Sequence, residues 1–427
     1  MGAKNALICL GGGPSPVINA SLQGVIEGCF AAGDIAHVYC ARHGIEGVLL
    51  EQLTDMARED PAELRRLRDT PASGAIGTCR YKLGEDRAED FERILQVLAA
   101  HDVGYFFYIG GNDSMDTADK VSRLARRAGL ELVAVGVPKT IDNDLGDDSG
   151  TIIDHTPGYG SAARYWADLI AEVNEENRGI CVSECVTVYQ AMGRDAGFIT
   201  AASRLADPER EMPLQLYLAE CGHSLEFLAE QVNRQLQQSG RCIVVVGEGF
   251  DVGDIGAAVD GFGHIEYGAS RLSACQGVVN YLNSVHLKAR GYANCQVPGV
   301  LQRCTAVHRS PVDVEEAYQV GLHAARLAAR GEGGVMATIL REPGAAYRVR
   351  YGQVALQTVA NSVRHLPQSW IAENRVDVTD DFIRYAQPLI GEELAPLHFE
   401  NGRLRFARLE GRCIPQMCPP YVPVGML

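Results

Sequence analysis

The chain has 427 residues, 46% hydrophobic and 22% charged, long enough for two or three domains and a sizeable core. Its formal net charge of −15 argues against nucleic acid or an anionic membrane as partner, since either calls for a basic stripe. Any anion it binds must be held by local cations and backbone amides.

The opening MGAKNALICLGGG lacks the long apolar centre of a signal peptide, and residues 5–10 (NALICL) read as a first strand. Behind it comes GGGPSP, then Leu22, Val25, Ile26, Cys29 and Phe30 on one helical face, with Ser15 as N-cap and Pro16 in the first turn. Apolar runs recur at 105–110 (YFFYIG), 132–137 (LVAVGV), 185–189 (CVTVY) and 242–249 (CIVVVGEG). After the second, IGGNDSMD opens a helix whose face carries Met115, Ala118, Val121, Leu124 and Ala125. Near the end, Asn401-Gly402 sits between alternating segments as a hairpin signal, and a Pro-rich tail, PQMCPPYVPV, is expected on the surface. No window approaches the roughly 18–20 apolar residues of a membrane span. The 13 cysteines are odd in number, scattered and without C-x-x-C, so reduced thiols of a cytoplasmic enzyme are expected.

Strand–helix alternation predicts an α/β protein: two doubly wound domains with mostly parallel sheets and an active site in the cleft at the strand carboxyl ends. The expected division is 1–155 plus about 305–350 against 156–304 plus about 351–427.

The glycine-rich turns fall where such folds bind ligands. GGGPSP lets backbone amides and a helix N-terminus approach an anion, although a tight turn without ligand fits it equally well. In IGGNDSMD, Asp113 or Ser114 can serve as a helix cap or belong to a second phosphate loop. PKTIDND is the sharpest. A hydroxyl, two carboxylates and an ammonium could deprotonate an alcohol, hold Mg2+ and neutralise a phosphoryl group, while an Asx-turn with a salt bridge is the plain alternative. Arg194 (in YQAMGRDAG) and Arg303 (in VLQR) are fork-shaped donors suited to phosphate or hydroxyls, and Glu248 would accept from a hydroxyl; singly, each is also what a solvated or paired charge looks like.

As a set these motifs resemble the phosphofructokinase family, and more closely its pyrophosphate-dependent branch, from GGGPSPVINA to DVTDDFIRYAQPLIG. The resemblance implies Mg-dependent, reversible transfer of a phosphoryl group from diphosphate to the 1-hydroxyl of fructose 6-phosphate. Sedoheptulose 7-phosphate as substrate, or an ATP-dependent enzyme, are the alternatives. It implies Asp142 as base, with Lys139 and Asp113 in the catalytic set, and Gly13, Arg80, Gly111 and Ser114 on diphosphate. Thr140, Ile141, Met192, Gly193, Arg194, Glu248, Val300 and Arg303 would contact the sugar phosphate, and Asn112 and Asp144 the metal. It also implies a homodimer or homotetramer.

Within the family, GGDDS with PKTIDND resembles the diphosphate users. The chain has Asp113 and Lys139 at those places, and the bulk and charge of Asp113 oppose a nucleotide's α-phosphate. Three positions depart from the pattern. Asn112 replaces a metal-associated aspartate, and Cys185 and Asn294 replace two cross-subunit arginines; Arg290 and Lys288 are the nearest cations to stand in.

Overall fold

The computed structural model describes every residue except 1–2, 85–86, 261–262, 361 and 425–427. Eleven of its strands are β1 (Lys4–Leu10), β2 (Ile35–Ala41), β3 (Leu53–Asp55), β4 (Val103–Gly110), β5 (Val133–Pro138), β6 (Val186–Ala191), β7 (Leu214–Tyr217), β8 (Cys242–Gly247), β9 (Ala293–Gln296), β10 (Val335–Arg341) and β11 (Val349–Ala355). They form a seven-stranded sheet in the order β11-β10-β5-β4-β1-β2-β3 and a four-stranded sheet in the order β7-β8-β6-β9. Among the described residues of these two sheets, only the edge pairs β2–β3 and β10–β11 are antiparallel, so the two-sheet, mostly parallel α/β expectation holds.

The near-continuous apolar strands are explained by burial on both faces. In β1, Leu7 and Cys9 enter one core while Ala6, Ile8 and Leu10 enter another. In β8, Ile243 and Val245 face one core, Val244 and Val246 the next. Successive side chains in a strand point to opposite faces, and here both faces are covered by helices. The helices Ile18–Ala31 and Pro311–Ala329 cross at backbone contact. A Cβ on Gly24 would lie 2.1 Å from Tyr318 O, and one on Gly321 would lie 2.3 Å from Ser21 O.

Several local expectations need correction. The first helix begins at Ile18 with Val17 as N-cap, so Ser15 does not cap it; the Ser15 hydroxyl is buried without a hydrogen-bond partner. Phe30 is 47% exposed. Eight residues after Leu22, it has turned about 80° from the apolar face at 100° per residue. The helix Asn112–Arg127 has Gly111 at its N-cap and no side-chain cap, which removes the capping role for Asp113 and Ser114.

The last segment divides rather than joining the second unit whole. Leu356 and Val359 pack in the first unit, Leu366, Phe382 and Leu389 in the second, and Ile414 returns to the first. The tail is tied there by Ile414 N donating to Leu53 O at 2.8 Å and Tyr421 OH to Asp90 at 2.7 Å. The expected hairpin is present, Phe399–Glu400 against Arg403–Leu404, with Asn401 and Gly402 both at positive φ. No helix among the described residues is long and apolar enough to cross a membrane.

Candidate active site

The carboxyl ends of β1, β4 and β5 face those of β6 and β8 across a cleft of about 210 Å³ cavity volume. Gly13, Arg80, Gly111, Asn112, Asp113, Ser114 and the PKTIDND residues Lys139, Thr140, Ile141, Asp142 and Asp144 line the first wall. Met192, Gly193, Arg194, Glu248 and Arg303 line the second. One expected residue is elsewhere. Val300 starts the single-turn helix Leu301–Cys304, is 56% exposed, and points out while Arg303 at the other end points in.

Three cations converge on the first loop. Lys139 Nζ donates to Gly13 O at 2.6 Å. A Cβ on Gly13 would meet Arg303 Nη1 at 2.7 Å and Arg80 Nη2 at 3.6 Å, so the bare glycine is what admits the guanidinium. Burial, and then the facing Arg303, drop Lys139 to about 8, and Arg303 is itself lowered by burial and by Arg80. Such mutual repulsion is relieved by a polyanion. Ser114 is buried beneath this loop. A Cβ on Gly11 or Gly110 would lie 2.3 Å or 2.1 Å from its Oγ, so both glycines make room for it.

The PKTIDND turn is held from outside the cleft. Thr140 Oγ1 accepts from Asp142 N at 3.1 Å, and Thr156 donates to Thr140 O at 2.8 Å. Asn143 adopts φ 58°, a left-handed conformation that asparagine tolerates. Its amide donates to Tyr385 OH at 2.8 Å and accepts from Thr156 N at 3.0 Å, leaving Asp142 and Asp144 on the cleft side. Lys139 forms no ion pair with either carboxylate, so the Asx-turn-plus-salt-bridge alternative is absent. Burial raises Asp142, with Arg194 and Lys139 pulling it back, and burial plus the neighbouring Asp142 push Asp144 up to about 7.

On the second wall, Gln302 Oε1 accepts from Trp166 Nε1 at 2.9 Å and from Met192 N at 3.0 Å, locking Arg303 to the Met192–Arg194 turn. Arg194 Nη1 is buried and has no hydrogen-bond partner, a donor aimed at a ligand. Burial and Asp142 push Glu248 up to about 8, so at neutral pH it carries a proton and offers a donor as well as the expected acceptor.

Asn112 does not stand ready for a metal. Its amide donates to Ser362 O at 2.9 Å and accepts from Asp113 N at 2.9 Å. Asp144 and Asp113 are hard oxygen donors at the cleft, a sparse set that suits Mg2+ taking its remaining ligands from phosphate and water. Cys185 and Asn294 lie on the second sheet away from these carboxyl ends. Cys185 is buried with its thiol toward Tyr292 O, and Asn294 donates to Glu184 at 2.9 Å. Arg290 and Lys288 are exposed and outside the cleft.

Sequence reasoning passed over the segment after β8. Arg80 pairs with Asp260 at 2.7 Å and with Glu266, and His264 Nε2 lies 4.0 Å from Asp113. A signal existed in DGFGHIEYG, where acidic groups alternate with glycines, but nothing in that pattern names Arg80 as the partner.

Known proteins extend the geometry. The phosphofructokinase family description matches residues 5–328. The pyrophosphate–fructose 6-phosphate 1-phosphotransferase of Methylococcus capsulatus is 38% identical over 93% of this chain and 94% of its own. The protein of that name from Halomonas elongata is 37% identical over 99% and 100%. The crystal structure of a pyrophosphate-dependent phosphofructokinase from Nitrosospira multiformis superposes with TM-score 0.88 at 36% identity, covering 98% of this chain and 100% of that one. Near full-length likeness, together with a cleft built from three glycine-rich strand exits, places this chain in the phosphofructokinase family.

Proposed function

We propose that the chain transfers a phosphoryl group from diphosphate to the 1-hydroxyl of fructose 6-phosphate, giving fructose 1,6-bisphosphate and phosphate, in either direction. The observation that carries this is the donor end of the cleft. Asp113, Asp260 and Glu266 fence Arg80 there, leaving room for a compact polyanion and opposing the chain of a nucleotide.

Asp142 accepts the hydroxyl proton as the sugar oxygen bonds to phosphorus and the bridging P–O bond breaks. Lys139, Arg80 and Arg303, with the Gly13 amide, spread the charge of the moving group and the leaving phosphate. Arg194 and Glu248 orient the sugar. Asp144 would hold Mg2+, which would supply neutralisation of the donor's charge. Holding the reactants in line supplies roughly 7–11 kcal/mol of such a barrier. The enzyme works in the cytoplasm as a homodimer or homotetramer, a reading supported by the exposed apolar Val297, Val300 and Leu301 just beyond edge strand β9.

The test is steady-state formation of fructose 1,6-bisphosphate with Mg2+ and either diphosphate or ATP. Turnover with ATP and none with diphosphate would sink the proposal.

A further inference from the structure

Two cysteines that the catalytic cleft does not use stand together beside it. Cys275 is buried in the first turn of the helix Ala274–Ser284, and Cys295 is half-buried in β9. Cys275 Sγ lies 3.7 Å from the carbonyl oxygen of Gln296, the residue next to Cys295. The framework imposes this proximity. Cys275 Sγ lies 3.1 Å from Val188 O, and Val188 is the residue of β6 that pairs with Cys295 across the sheet. Gln190 Oε1 accepts from Cys275 N at 3.0 Å and fixes the start of the helix. On its outer side Cys295 Sγ meets Gln276 Oε1 at 3.5 Å, in an exposed setting that a small oxidant can reach.

We propose that Cys275 and Cys295 are a reversible disulfide site, oxidised by a small two-electron oxidant such as hydrogen peroxide. Cys295 is the attacking thiol, since it is the more exposed of the two and its setting beside Cys275 lowers it. Its thiolate takes one oxygen of the peroxide, the O–O bond breaks, and the hydroxide expelled takes up the proton that Cys295 had released and leaves as water, giving a sulfenic acid. The Cys275 sulfur then bonds to that sulfur and expels the hydroxyl, which leaves with the Cys275 proton as a second water. Two thiols are oxidised by two electrons, and one peroxide is reduced to two waters.

The cross-link would tie together two segments that both reach the cleft. The chain entering the helix carries Asp260 and Glu266, which hold Arg80, and β9 runs on to Gln302 and Arg303. Drawing these together displaces phosphate-side groups, and displacements near 1 Å can cost about 100-fold in rate. The oxidised enzyme should therefore lose about tenfold or more in kcat.

The experiment uses the full-length reduced enzyme, treated with hydrogen peroxide in small excess, alkylated with N-ethylmaleimide and mapped by peptide mass. The expected result is a Cys275–Cys295 cross-linked peptide lighter by two hydrogens, a fall in kcat, and recovery of both with dithiothreitol. Cys275→Ala should keep reduced activity and resist the peroxide-dependent loss. Both cysteines remaining alkylatable after other thiols have been oxidised would overturn the site. A cross-link with unchanged kcat, or a Cys275→Ala enzyme as peroxide-sensitive as the parent, would overturn its link to the cleft.

Discussion

Gly13→Ala is the most direct test of how the donor loop works. The added Cβ would lie 2.7 Å from Arg303 Nη1, whereas ordinary contact starts near 3.4 Å, so the guanidinium must retreat by about 0.7 Å. It can do so cheaply, because the neighbour is the far end of a flexible side chain and Gly13 does not need positive φ. Folding stability should change by less than about 0.5 kcal/mol, as for surface-like substitutions. Chemistry should suffer more. A displacement of this size in a group positioned on the transferring phosphoryl should cost about 10- to 100-fold in kcat/KM for diphosphate.

The assay is kcat/KM for diphosphate at saturating fructose 6-phosphate, with a denaturation midpoint measured on the same preparation. Gly12→Ala is the contrast. Gly12 needs φ 74°, so alanine there adds backbone strain of about 1–2 kcal/mol as well as a 3.3 Å approach to Lys139 Nζ. Unchanged kcat/KM in Gly13→Ala would refute the idea that Arg303 and the first loop grip one phosphate. A large loss of stability in Gly13→Ala would refute the claim that the glycine serves the ligand rather than the fold.

Other expectations follow from single residues. Asp142→Asn should lower kcat by about 10²–10⁴ with KM changed only a few-fold, as for loss of a general base. Because burial and Arg303 hold Lys139 at about 8, kcat/KM for diphosphate should fall as pH rises through 8, and Lys139→Arg should remove that limb. Against the cost of burial, the carboxylates of Glu316 and Asp154 raise His155 to about 9, above its unfolded 6.5. Its stabilisation relative to His155→Gln should thus be full below pH 6.5 and vanish as pH rises through 9, read from urea unfolding across that window. Gly24→Ala should destabilise by about 2–3 kcal/mol, since its Cβ meets the backbone of the facing helix.

What was legible in the sequence was what lies along the chain. Alternating apolar strands and helices gave the sheets because both faces of β1, β4, β5 and β8 are buried, and buried parallel strands leave continuous apolar runs. The expected site residues other than Val300 do line the cleft, most of them in motifs at strand exits, whereas Asp260 and His264 line it without having been expected. What was hidden is pairing between distant segments. Nothing near Asn143 announces that Tyr385 anchors it, nor that Gln302 joins Trp166 to Met192, nor that Asp260 and Glu266 reach Arg80. What the surface tail is tied to was hidden for the same reason. Glu51, at positive φ, presents its buried carboxylate to the Met417 and Cys418 amides, and no pattern in the tail encodes that.

The cleft also answers how a base and a phosphate cradle can share one turn. As the proposed base, Asp142 has to be ionised to take a proton, and burial opposes that. Arg194, Lys139 and Arg303 pull the other way, and they are the groups proposed to hold the substrates. Glu248, with the same burial and Asp142 for a neighbour, stays protonated near neutral pH, and Asp144 is poised about 7. Burial raises all three recessed carboxyls, and Asp142 is the one opposed by Arg194, Lys139 and Arg303 together. In the proposed reaction the charge of bound diphosphate would raise both Lys139 and Asp142: the first becomes a firmer cation, and the second a stronger base in its ionised form but a less ionised group. A single turn can serve both roles because the cations proposed to hold the donor also offset the burial of the base.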